Sequence, residues 1–387
     1  MLIASFSNYL NHHQIPLANA FNRIKGVEYV FVATTPFNKK RLSMGYKDEN
    51  KQYDFVLRAY EGKKELEQAH YLTKDADIVL IGSAPDVFMT KRLSLNKITF
   101  RTCERYFRKG FNFQHYPRYF ARALRHLFPF QNYPLYFLCM SAYTSYDINL
   151  FTKFQNRAFK WAYFTENRDL DYDFITPKKG NKILWCGRLL ELKHPDAAIR
   201  VALNLKKDKI PFQMDIIGDG EMKETLVSLI QQNNLSNCIN LLGFLPPNEV
   251  RKRMEESDIF LFTSDYKEGW GAVLNEAMSS GCAVVSSHAC GSTPFLVRDN
   301  VNGLIYESGN ENQLFIKTKR LLTDPELRKR LSFNAFMDMR ELWDAHVAAE
   351  RLPVLYDGIK AGCYLSLFQD GPCSPAQILK NNWYHEC

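Results

Sequence analysis

The chain has 387 residues, enough for two domains rather than one. Its 46% hydrophobic content is ordinary for a globular protein, with no apolar run long enough to span a bilayer and no internal repeat or low-complexity tract. A formal charge of +8 points to anionic partners without choosing among nucleotide phosphates, lipid headgroups and nucleic acid, while nine dispersed cysteines form no paired ligand clusters and suit a reducing compartment.

The start, MLIASFSNYL, lacks the basic region, apolar core and cleavage site of a signal peptide, so the protein is expected in the cytoplasm, at most touching the inner face of a membrane. Met1 to Ser5 reads as a strand and Ile15 to Ile24 as a helix. The polar stretch between them ends in Asn11, His12, His13 and Gln14. In a doubly wound domain such a loop meets ligands, so these are hydrogen-bonding candidates. Helix capping by Asn with two solvated histidines explains them equally well. Val27 to Thr34 is a second strand, Lys64 to Thr73 a helix, and Asp77 to Ser83 a third strand. Asp75-Ala76-Asp77 has the look of a metal-binding Asp-x-Asp but reads as a polar strand entry.

Residues 98–130 interleave Arg101, Arg105, Arg108, Lys109, Arg118, Arg122 and Arg125 with Tyr106, Phe107, Phe111, Phe113, Tyr119, Phe120 and Phe128. That pattern fits a core-facing aromatic stripe with a solvated basic face. It also fits an amphipathic surface on anionic lipid, or single-stranded nucleic acid stacked on rings. Leu135 to Ser141 is another buried strand, and a helix from Tyr146 to Phe151 follows. Thr165 to Gly180, acidic then basic and carrying Pro177, is the linker candidate.

Lys182 to Cys186 opens the second half as a strand, and Pro195 to Leu205 is a helix with proline in its first turn. Between them stand Gly187-Arg188-Leu189 and Lys193. Arginine can fork onto two phosphate oxygens and lysine adds a point charge, so together they suit a phosphate-bearing ligand. Gln213 to Gly220 is a strand ending in Gly-Asp-Gly, then a helix runs to Asn233. Asn240 to Gly243 is the next strand, with Phe244 on its loop, and Glu249 to Ser257 a helix.

The stretch from Asp258 to Tyr306 carries the chemistry. Ile259 to Phe262 is a buried strand, Glu268-Gly269-Trp270-Gly271 its turn, and Val273 to Met278 a helix stopped by Gly281. Ala283 to Val285 completes a βαβ unit. Glu268 stands at the strand's carboxyl end and Glu276 eight residues later, about two helical turns along. Carboxylates accept from sugar hydroxyls, and the glycines leave backbone N–H groups free for phosphate oxygens.

This cassette, EGWGAVLNEAMSSGCAVV, resembles the nucleotide-sugar domain of the GT-B glycosyltransferases, in particular the large retaining family four. Gly291-Ser292-Thr293-Pro294 and Asn302-Gly303-Leu304 match in kind, and Gly187-Arg188-Leu189 with Lys193 resembles the diphosphate segment. Ala283 replaces the usual proline, and Phe295 stands where many relatives carry glutamate. The resemblance implies an α/β GT-B fold of two Rossmann-like doubly wound domains facing across a cleft. Residues 1–165 would bind the acceptor, 166–345 the nucleotide sugar, and 346–387 would pack back on the first domain. It implies transfer from a UDP-sugar, or a GDP-sugar, to a glycan or lipid-linked acceptor, with no metal or cofactor, in envelope or capsular polysaccharide synthesis.

By the same resemblance Glu268, Arg188 and Lys193 are catalytic. Gly187, Glu276, Gly269, Trp270, Gly271, Ala272, Gly218 and Phe244 bind the donor. Asn11, His12, His13, Glu104 and Arg105 are candidates for the acceptor or phosphates. The family also favours membrane contact through 98–130 and disfavours nucleic acid. Two other readings stay open: a nucleotide-sugar epimerase, and a non-catalytic membrane or nucleic-acid binding protein on the same fold.

Overall fold

The computed structural model describes residues 1–38, 42, 47–107, 115–168 and 181–385, and among these the strands form two parallel sheets, of seven and six strands. The expected linker residues Pro177 and Gly180 lie outside the described residues, as do Arg108, Lys109, Phe111 and Phe113.

The first unit comprises described residues 1–107, 115–166 and 343–379. Its strands are β1 (Leu2–Ser7), β2 (Glu28–Ala33), β3 (Val56–Arg58), β4 (Ile78–Ile81), β5 (Thr99–Cys103), β6 (Leu135–Cys139) and β7 (Ala158–Lys160), in the order β3-β2-β1-β4-β5-β6-β7. β3 and β7, three residues each, escaped sequence reading because runs this short carry no period. β4 is buried along its whole length, which is why it reads as an unbroken apolar run. The strand order reverses between β1 and β4, so the Asn8–Gln14 loop leaves β1 at the switch point.

One buried cation ties this unit's helices to its strands. Arg92, 1% exposed on the helix Asp86–Leu93, donates to the carbonyls of Thr73 (3.1 Å), Ala76 (2.8 Å), Asp77 (2.8 Å) and Ile98 (2.9 Å). Asp77 itself accepts from the Leu2 N–H at 2.8 Å, so Asp75-Ala76-Asp77 is a strand entry. The helix Ala345–Ala361 packs on the helix Ile15–Arg23. Residues 373–376 then lie along β7, with the Cys373 and Ala376 N–H groups donating to Lys160 and Ala158 at 2.9 Å each. They cover an edge that would otherwise stay open.

On the helix Tyr116–His126, Tyr119 and Ala123 face inward while Tyr116, Phe120 and Leu124 are 41%, 39% and 46% exposed. Arg118, Arg122 and Arg125 are exposed as well. The aromatic stripe is therefore split, part core and part surface. Among the described residues no helix is long and apolar enough to cross a membrane.

The second unit comprises described residues 167–168, 181–342 and 380–385. Its strands are β8 (Lys182–Cys186), β9 (Gln213–Ile217), β10 (Ile239–Gly243), β11 (Ile259–Phe262), β12 (Ala283–Ser287) and β13 (Leu304–Tyr306), in the order β10-β9-β8-β11-β12-β13. Ile183, Trp185, Met214, Ile216, Ile259, Leu261 and Val285 project from these strands into the core beneath the helices. The final residues depart from expectation. Rather than joining the first unit, they dock on the second: the Tyr384 hydroxyl lies 3.2 Å from both the Ile305 carbonyl and Gln313 Oε1, and His385 pairs with Glu307 at 3.0 Å. Aromatic and charged partners on that face outweigh simple chain continuity.

Replacing Arg92 with Met should lower unfolding free energy by on the order of 3 kcal/mol, because several buried carbonyls lose their donors. Urea denaturation measures this, and a loss well below about 1 kcal/mol would mean that the guanidinium is dispensable.

Candidate active site

The second sheet reverses order between β8 and β11, so the loops after these neighbouring strands leave in opposite directions and open a crevice. Arg188 and Lys193 lie on the first loop and Glu268 on the second. The two loops are stitched together. The Trp185 indole N–H donates to Thr263 Oγ1 at 2.8 Å, and that hydroxyl donates to the Lys193 carbonyl at 2.6 Å. The Asp265 N–H donates to the Leu192 carbonyl at 2.9 Å.

In this frame Lys193 Nζ forms an ion pair with Glu268 Oε2, their side chains only 12% and 16% exposed. The Ser264 hydroxyl lies 3.5 Å from the same carboxylate oxygen. The Arg188 guanidinium, by contrast, is exposed and has no partner among the described residues. Glu276 sits in the helix Val273–Ser279 rather than a second turn along it, because residues 268–272 are loop. Its carboxylate accepts no hydrogen bond among the described residues, and burial raises its pKa although Arg251 opposes the shift. It reaches the end of β8: burial first and the Glu276 charge next push the Cys186 thiol up to about 12.

The glycines have clear mechanical reasons. Gly218 has φ +138, and a Cβ there would stand 1.8 Å from the Gly187 carbonyl oxygen, so the two loops touch backbone to backbone. Gly187 returns the contact by donating to the Ile217 carbonyl at 3.0 Å. Gly271 has φ +78 and presses on the Phe262 ring, where a Cβ would come within 2.4 Å. The N–H groups of Gly271 and Ala272 find no acceptor among the described residues. Gly269 is buried. Phe244, on the loop after β10, is 53% exposed and presents a free ring edge and face.

Trp270 offers no ring surface. It is 0% exposed, its indole donates to Asn275 Oδ1 at 2.9 Å, and its carbonyl accepts from the Ser292 hydroxyl at 2.5 Å. Its side chain acts as a wedge that fixes the turn, so the expected donor contact through this ring is not available.

In the first unit, Asn11 accepts from the His13 N–H at 3.1 Å and so shapes the turn into the helix Ile15–Arg23. The His12 and His13 rings lie 3.7 Å apart, His13 is 5.6 Å from the Tyr163 ring, and the Tyr163 hydroxyl donates to Glu104 Oε1 at 2.7 Å. Asn11 thus shapes the turn without capping the helix, whose N-cap residue Gln14 makes no side-chain cap bond, and a polar cluster stands beside it at the switch point. Arg105, expected to line a ligand site, is instead turned inward onto a buried carboxylate. It is 4% exposed, lies 3.1 Å from Asp147 Oδ1 and covers the Tyr143 ring at 4.8 Å. The Asp147 carboxylate also takes the Phe107 N–H at 3.0 Å, so this is a buried structural pair.

Comparison with known proteins decides the family of the second unit. Residues 169–337 match the family model described as "Glycosyl transferases group 1". This segment is a group 1 glycosyltransferase domain. The chain is 36% identical over 151 residues to the N-acetylgalactosamine-N,N'-diacetylbacillosaminyl-diphospho-undecaprenol 4-alpha-N-acetylgalactosaminyltransferase of Campylobacter jejuni, covering 39% of this chain and 40% of that one. It is 36% identical over 138 residues to the amylovoran biosynthesis glycosyltransferase AmsK of Erwinia amylovora, 34% of each chain. The alignments thus span well under half the length of these curated relatives. The overall fold is GT-B. Anabaena Alr3699/HepE, solved in complex with UDP and glucose, aligns over 93% of this chain and 100% of its own with a TM-score of 0.62, a likeness of fold alone at 14% identity.

Within the group 1 domain, several supporting residues carry no sequence signal. Arg251 is 7% exposed and donates to the Glu276 carbonyl at 2.9 Å and Ser279 Oγ at 3.0 Å, yet in sequence it is one basic residue of three in a row. Thr263 and Asp265 stand in a polar turn where any such residue would be unremarked. Arg105 and Arg188 should separate cleanly. Arg105→Gln should cost on the order of 3 kcal/mol by stranding the Asp147 charge, whereas Arg188→Ala should leave stability unchanged within about 0.5 kcal/mol. Thermal unfolding of both variants reads this; equal losses would mean that Arg188 has a structural partner.

Proposed function

We propose that the chain transfers a sugar, with retention of anomeric configuration, from a nucleoside-diphosphate sugar to a hydroxyl of a glycan or lipid-linked acceptor in envelope polysaccharide assembly. The observation that carries this reading is an unpartnered Arg188 and an unpartnered, half-buried Glu276 flanking the Lys193–Glu268 pair at the switch point of a group 1 domain. A cation without an anion and a desolvated carboxylate without donors are both relieved by one ligand, a nucleoside diphosphate with ribose hydroxyls.

Glu276 accepts from the ribose hydroxyls and Glu268 from hydroxyls of the donor sugar. Arg188 and Lys193 hold the diphosphate, with the Gly271 and Ala272 N–H groups as further donors. As the C1–O bond breaks, its electron pair leaves on the diphosphate, where the two cations stabilise it through an oxocarbenium-like transition state. The acceptor oxygen bonds to C1 on the same face and its proton passes to the departing phosphate oxygen. A UDP-sugar is the favoured donor; the fold relative solved with UDP supports the base, and a GDP-sugar is the alternative. The name of the Campylobacter relative supports a lipid-diphosphate acceptor. Such an acceptor suits an enzyme that works at the inner face of a membrane. The helix Tyr116–His126, with Tyr116, Phe120 and Leu124 exposed beside three arginines, suits anionic lipid.

Thermal stability against UDP, GDP and their sugar conjugates tests the donor site. A ligand at 100 times its Kd adds about 2.7 kcal/mol, a clear rise in Tm. Glu276→Ala should abolish the rise, and no response to any nucleotide alongside binding to oligonucleotides would overturn the transferase reading. For the membrane contact, Arg118→Glu with Arg125→Glu should weaken binding to phosphatidylglycerol vesicles by on the order of tenfold to hundredfold. Unchanged partitioning would remove this helix from the contact.

A further inference from the structure

The residue after Lys193 is strained. His194 joins the turn Glu191–Lys193 to the helix Pro195–Lys207 with a left-handed backbone, φ 48 and ψ 53. A side chain with a Cβ holds that conformation at some cost, and such residues gather at functional sites. Here Asp265 supplies the restraint: His194 Nε2 lies 3.5 Å from Asp265 Oδ2. The same aspartate donates its N–H to the Leu192 carbonyl at 2.9 Å and accepts from the Glu268 N–H at 3.0 Å. One residue on the loop after β11 thus grips Leu192, His194 and Glu268 together. Lys193, between Leu192 and His194, is left with its amine on the Glu268 carboxylate.

We propose that the His194–Asp265 pair is a pH-gated clasp that holds Lys193 and Glu268 in the geometry required by the donor. His194 and Asp265 are positioning residues, and the inference rests on the donor-site reading above. The charged groups facing His194 are Asp265 and Asp196, which favour its protonated form, and Lys267, which opposes it. The hydrogen bond to Asp265 is the largest influence and raises the imidazole pKa. Burial alone would raise Asp265; the bonds from His194 and the Lys267 N–H outweigh it and hold the carboxyl below its ordinary value. The pair is therefore fully charged at mildly acidic pH and is lost as pH rises through the raised pKa of His194. Lys267 also reaches Asp265 at 3.6 Å, so the aspartate keeps one cation after His194 deprotonates.

The test is calorimetric titration of the full chain with UDP-glucose, and with GDP-mannose as its guanosine counterpart, between about pH 6 and pH 8.5. The diphosphate of either probe keeps its charge over that range. Wild-type affinity should fall roughly three- to tenfold across it, the size expected of a half-exposed charge pair. His194→Gly removes the pair but relieves the left-handed strain, so it should fold normally. It should bind at the weaker level with a flat pH profile. Asp265→Asn should do the same. If both variants keep the wild-type profile, the clasp is wrong. If only His194→Gly flattens it, His194 acts on the phosphate directly and the clasp is equally wrong. If the wild-type chain binds neither probe at any pH, the donor-site reading itself fails and takes the clasp with it.

Discussion

Strand order constrains this molecule more than any single contact. In the second sheet the chain moves outward from β8 through β9 to β10, then returns to lay β11 on the other side of β8. Right-handed crossovers then send the loops after β8 and β11 to opposite faces. The two loops meet at the backbone bond from Asp265 to Leu192, and side chains line the crevice beside it. Of the charged ones, Lys193 and Glu268 are largely buried, while Arg188 is exposed.

These charges are unequally satisfied. Lys193 and Glu268 neutralise each other, while Arg188 and the Glu276 carboxylate are left without partners among the described residues. Elsewhere the chain completes its buried charges. Arg92 has four carbonyls, and Arg105 has Asp147. Arg188 is exposed to solvent, whereas Glu276 keeps a largely desolvated carboxylate whose pKa is raised by burial. The support beneath is rigid: Trp270 wedges the turn, Thr263 bridges the loops, and Gly218 allows backbone to meet backbone at Gly187.

The two units use the same topological device with different furnishing. At the first switch point Asn11 shapes a turn, and His13, Tyr163 and Glu104 form a polar cluster. This arrangement has hydrogen-bonding capacity but little charge. Beside it in sequence, the arginine-rich stretch divides. Arg105 turns inward to Asp147, while Arg118 and Arg125 stay in solvent.

The sequence by itself determined the second domain and its charged residues. The βαβ cassette is local: alternation of apolar runs with Glu268, Gly271, Glu276 and Gly281 is read within about thirty residues, and short-range sterics and helix periodicity suffice to place it. It also determined the strand Lys182–Cys186, whose apolar run and following Arg188 and Lys193 are contiguous. What only the tertiary structure decided are the matters of partnership. Arg105 and Arg188 are alike in sequence, and one is a buried strut while the other is exposed. Trp270 sits inside the recognised motif, yet its ring belongs to the core. His194 and Asp265 lie 71 positions apart and meet only because β8 and β11 are neighbours in the sheet. Burial and charge pairing depend on which distant segments arrive at a residue, and no local pattern encodes that.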